Sequence, residues 1–158
     1  MDPNVRRATP ADVPAIVRLA AQRRRIYEQF QPVFWRPAKD ADARQTSFFR
    51  SLLEAADAFT VVHEGEGVVD GFLIARLVTP PPVYDPGGKT YVVDDFWVSD
   101  SRRWPRIGTA LLAAAEQEGR ERGAVQLVAV TAGADEPKRA MLTILGYGLA
   151  SEWYVKGI

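Results

Sequence analysis

Residues 90–130 read TYVVDDFWV, SDSRRWPRIG, TALLAAAEQEGRERG and AVQLVAV in succession. The first block is β-branched and aromatic, as strands are. From the end of the second through the third, Ile107, Ala110, Leu111, Ala114 and Ala115 recur at helical spacing, and Gly123 stops the run. This predicts a helix from about Ile107 to Arg122. AVQLVAV is a short continuous apolar run, which suits a strand buried on both faces. A strand, a helix and a second strand in this order pair in parallel through a right-handed crossover, so the chain is expected to build an α/β layer.

The flanking segments extend that layer. A short strand is expected at Asn4–Arg7. A helix follows from TPADVPAIVRLAAQRRRIYEQF, where Thr9 and Asp12 have capping-box spacing and Pro10 fits the first turn. A second helix is expected at Asp42–Ala56. AFTVVHE and GVVDGFLIARLV form a hairpin about Gly65–Gly67, and TPPPVYDPGG is a loop. DEPKRAMLTILG reads as a compact helix ending at Gly146, and LASEWYVK as a closing strand. The 158 residues suit one domain, 1–158, without linker or repeat.

What the chain lacks narrows its chemistry. It has no cysteine, which excludes disulfides, thiolate metal sites and a cysteine nucleophile. Its one histidine, His63, lies in TVVHEGEGVVDG without a serine elbow, and reads as an exposed strand-end residue rather than a catalytic one. No metal is expected. Lys plus Arg and Asp plus Glu number 20 each, which gives no support to a nucleic-acid partner. No apolar run approaches the ~20 residues of a membrane span, so no membrane partner is expected. MDPNVRRATPADV has no apolar signal core, so the expected location is cytoplasmic.

The block between strand and helix carries Arg102, Arg103 and Arg106. A helix start offers unpaired N–H groups and partial positive charge, the usual device for binding phosphate, and guanidinium groups suit phosphate oxygens. The alternative is a solvated turn with surplus charge. Neither a P-loop nor a dinucleotide fingerprint is present.

This stretch resembles the acyl-CoA signature of the GNAT superfamily of N-acetyltransferases, R/Q-x-x-G-x-G/A after a strand ending in valine. Here it reads Arg103-Trp104-Pro105-Arg106-Ile107-Gly108 after Val98. VDDFWVSDSR is similar to the corresponding strand of polyamine acetyltransferases, VRRATPADVPAIVRLA to the family's opening strand and helix, and AMLTILGYG to its last helix. The resemblance implies a single-domain α/β fold, a GNAT-like mixed sheet of about six or seven strands flanked by about four helices. It implies acetyl transfer from acetyl-CoA to a primary amine, small-molecule or peptide, by direct transfer in a ternary complex, and often a homodimer. Arg103, Trp104, Arg106, Ile107, Gly108 and Thr109 would hold the pyrophosphate, and Phe96, Trp97 and Val98 the pantetheine arm.

Of the carboxylates Asp94 and Asp95, Asp94 matches the proposed glutamate base of polyamine acetyltransferases. Strand alternation lets at most one of the pair face a given site. Tyr27, Glu28, Phe34 and Trp35 lie where relatives build the acceptor pocket; packing of the helices onto the sheet is the alternative reading. Two departures stand out. Arg106 replaces the signature's first glycine. Leu142 occupies the position, four before Gly146, where many relatives carry a tyrosine that protonates the leaving thiolate. No general acid carries over. A non-catalytic acyl-CoA-binding regulator and a protein-interaction module without cofactor are the competing readings.

Overall fold

The computed structural model describes residues 2–158. The strands β1 (Val5–Arg7), β2 (Ala58–Gly65), β3 (Val68–Val78), β4 (Lys89–Val98) and β5 (Ala124–Ala129) form one sheet in that order. The helices are α1 (Val13–Phe30), α2 (Ala41–Glu54), α3 (Thr109–Glu121) and α4 (Glu136–Ile144). Pairing is antiparallel from β1 to β4 and parallel between β4 and β5, as the strand–helix–strand reading requires.

Local chemistry sets the boundaries. Asp12 accepts from the Thr9 backbone N–H at 2.7 Å and the Thr9 hydroxyl at 2.9 Å, closing the turn that leads into α1. The β2–β3 hairpin turns through Glu66 and Gly67, both at positive φ, where Gly67 has no side chain to strain. Between Val98 and α3 the chain makes a short 3₁₀ turn, Ser101–Arg103, and a single π-helical turn, Trp104–Gly108.

The core has two sides. α1 and α2 cover Phe72, Ile74 and Trp97 on one face of the sheet; Phe49 of α2 stacks on Phe72 at 6.1 Å. On the other face, the π-helical turn and α3 sit so close to β3 that a Cβ on Gly71 would lie 2.8 Å from Ile107 and 3.1 Å from Leu111.

Three expectations are corrected. The sheet has five strands, because LASEWYVK is not a strand: it is irregular and exposed, with Trp153 and Tyr154 facing solvent. Among the described residues no neighbouring strand supplies it with ladder hydrogen bonds. AVQLVAV is not buried on both faces either; β5 is an edge strand with Val125 53% exposed. His63, expected at the surface, is fully buried, because Asp70 and Arg103 close over it.

Candidate active site

Pairing between β4 and β5 ends at Val93↔Ala129, reinforced by Val130 N–H donating to the Val93 carbonyl at 3.0 Å. β4 nevertheless continues to Val98. Its Asp94–Val98 segment pairs only with β3, so a fork opens on its other edge. The register explains the divergence. Ile74 pairs with Asp95 and Ala75 with Val93, leaving Asp94 as an extra residue. Such a bulge bends and twists the strand that contains it.

The bulge also decides where the carboxylates go. Asp94 is exposed. Asp95 shares Ile74's register and points toward α1, where Arg23 Nη1 lies 3.1 Å from Asp95 Oδ1. That approach is close enough to pair charge but makes no aligned hydrogen bond, so Oδ1 keeps an unfilled acceptor position. Gln45 Nε2 of α2 reaches Oδ2 at 3.4 Å. Burial raises the Asp95 pKa, and Arg23 opposes it.

At the mouth of the fork the three arginines have different partners. Arg102 is held by Asp100 at 2.8 Å. Arg103 donates to Asp70 at 2.6 Å, and Asp70 in turn meets His63 Nδ1 at 2.5 Å. Arg106 has no carboxylate partner among the described residues, and with Thr109 it lines a shallow groove of about 390 Å³ along α3. The π-helical turn Trp104–Gly108 leads directly into α3, with the Thr109 N–H donating to the Trp104 and Arg106 carbonyls, and Pro105 has no N–H to offer.

Trp104, Ile107 and Gly108 are buried and pack this turn into the core. A Cβ on Gly108 would lie 2.5 Å from both Met141 Sδ and Trp104 Cε3, which ties this glycine to helix packing. Phe96, Trp97 and Val98 lie in the stretch of β4 that β5 does not pair, are buried, and the Phe96 carbonyl accepts from Lys138. This cationic mouth and unpaired strand edge fit a ligand with a phosphate group followed by an amide-bearing chain.

On the α1 side the candidate acceptor residues separate. Tyr27 is a core residue: its hydroxyl donates to Asp135 at 2.8 Å, and burial raises its pKa. Trp35 packs edge-on against Tyr27 at 5.0 Å, and Phe34 against Trp35 at 4.7 Å. Phe34 is exposed and Glu28 half-buried. The aromatic residues thus come together, with Phe34 and Trp35 toward the surface.

Sequence reasoning passed over Lys138. It is fully buried in α4, and its Nζ donates to the Val130 carbonyl at 2.9 Å and the Phe96 carbonyl at 3.2 Å, spanning the fork. A signal was available: Lys138, Met141, Leu142 and Leu145 follow helical spacing, so a lysine stands in an otherwise apolar stripe.

Over residues 21–147 the sequence matches the acetyltransferase (GNAT) family. No curated protein matches the chain. Among solved structures, a mutant of the BH1408 protein from Bacillus halodurans is similar with a TM-score of 0.85, at 18% identity, covering 98% of each chain. A predicted acetyltransferase from Clostridium acetobutylicum, solved with acetyl-CoA, has a TM-score of 0.74 at 20% identity, covering 98% of this chain and 95% of that one. An aminoglycoside 6'-N-acetyltransferase from Acinetobacter haemolyticus has a TM-score of 0.73 at 15% identity, covering 98% and 99%.

Proposed function

The chain belongs to the GNAT family of acetyltransferases, and on that premise we propose that it moves an acetyl group from acetyl-CoA to a primary amine by direct transfer in a ternary complex. One observation carries the reading: the edge of β4 beyond Val93 stands open beside a helix start whose Arg106 has no carboxylate partner among the described residues.

In this reading Arg106 and the backbone of Arg106–Thr109 hold the pyrophosphate. Arg103 borders it while tethered to Asp70. The Phe96–Val98 edge pairs with the pantetheine amides and turns one N–H toward the carbonyl oxygen, where charge develops during transfer. Bound acetyl-CoA supplies the thioester. Asp95 takes the amine proton through Oδ1, whose acceptor position is free and whose basicity is increased by burial. Phe34 and Trp35, with Glu28 close in sequence, form one wall for the acceptor and suit a cationic or apolar group.

Thiol release from acetyl-CoA across a panel of polyamines, amino acids, aminoglycosides and peptide amines tests this. Amine-dependent release with at least one class is expected. A second reading, an acyl-CoA-binding regulator without catalysis, is favoured by Leu142 at the usual tyrosine position. Tight acetyl-CoA binding with no release for any amine would select it.

A further inference from the structure

We propose that Lys138 is the acid that protonates the departing thiolate, in place of the tyrosine that Leu142 displaces. This rests on the acetyl-CoA reading above. The geometry begins with the helix. Lys138 and Leu142 are four apart on α4 and share a face, and helical side chains lean toward the N-terminus. From that position Nζ reaches the fork and bridges the Phe96 and Val130 carbonyls, which belong to segments no longer paired with each other.

A lysine ammonium has three N–H donors. Two are accounted for by those carbonyls, and the third has no acceptor among the described residues. Nζ also lies 4.9 Å from the Phe96 ring centroid and 5.5 Å from that of Trp104, so the charge is stabilised by aromatic faces rather than by a carboxylate contact. The site therefore holds a proton-bearing nitrogen in the gap along which the thioester arm would lie.

The charged groups around it act in opposite directions. Burial is the largest influence, and with Arg23 of α1 it lowers the Lys138 pKa to about 7; Asp135 at the start of α4 and Asp95 and Asp94 of β4 raise it. An ordinary tyrosine titrates near ~10, so this lysine is the stronger acid of the two.

The step balances. The amine nitrogen forms the C–N bond, the C–S bond breaks with its electron pair on sulfur, and Lys138 gives sulfur one proton. Asp95 receives the proton lost by the amine, and Lys138 regains its own from water once the fork empties.

The thiol pKa of bound CoA, read from thiolate ultraviolet absorbance, tests this without turnover. In the wild type the bound thiol should titrate about one unit or more below its free value, because a cation stands beside it. Lys138→Met should return it to the free value or above. Lys138→Arg should keep it low, yet cut kcat about 10²-fold, because arginine holds its proton throughout. The wild-type rate should fall on the alkaline side as Lys138 loses its proton, and this fall should be absent from both variants. CoA binding with an unshifted thiol in the wild type overturns the role of Lys138 and leaves the cofactor reading standing. Failure of CoA to bind the wild type overturns both. If Lys138→Met does not fold, the wild-type titration and Lys138→Arg still decide.

Discussion

At Asp95 two influences compete, and burial outweighs the neighbouring Arg23. The carboxyl is therefore a stronger base than a solvated aspartate when ionised, and it is ionised over a narrower, higher pH range. Asp95→Asn should lower kcat/KM by roughly 10²-fold, within the usual span for loss of a general base, with acetyl-CoA affinity unchanged. Asp94→Asn, at an exposed position, should stay within about threefold. Steady-state kinetics on both variants decide the matter, and the larger loss at Asp94 would reverse the assignment. The sequence shows this pair of carboxylates plainly. It does not show their directions, because alternation along a strand fails at a bulge, and the bulge arises from the pairing of β4 with β3. Lys138 was legible in a different way, as a charge in the apolar stripe of its helix. The partners that make it informative, the Phe96 and Val130 carbonyls, come together only in the folded chain.

The junction from β4 to α3 shows how elements constrain one another. Gly108 closes the π-helical turn against Trp104 and against Met141 of α4. The family signature places this glycine at the pyrophosphate; the packing makes it structural as well. Gly108→Val should destabilise the protein by about 1–3 kcal/mol through overpacking, measured by urea unfolding. A variant with unchanged stability would mean that α4 moves aside without penalty. Periodicity located every helix, since an amphipathic stripe is a local property; the bounds differ by a few residues, as at Ala41–Glu54 and Thr109–Glu121. Strands were legible where a partner existed. AVQLVAV and LASEWYVK both have strand-like composition, but composition cannot report whether a neighbour covers a face or supplies a ladder. The first became an exposed edge and the second has no regular structure.

For the molecule as a whole, the sheet acts as a frame in which β4 and β5 part beyond Val93. The antiparallel strands β1–β4 and the helices on both faces fix β4, while β5 follows it only as far as Val93. The fork receives its cation from the α3 side, its carboxylate from the α1 side and its buried lysine from α4. Among the described residues, no helix is long and apolar enough to cross a membrane. In the proposed function acetyl-CoA binds at this fork through the start of α3. Isothermal titration of the protein with acetyl-CoA, at low and raised salt, should show one saturable site whose affinity falls with salt, since partly exposed charges are screened. Arg106→Ala should bind about tenfold more weakly, the scale of one lost charged hydrogen bond. Arg120→Ala, at the far end of α3 and already paired with Glu116, should bind like the wild type. No binding, or equal losses at Arg106 and Arg120, would contradict this reading.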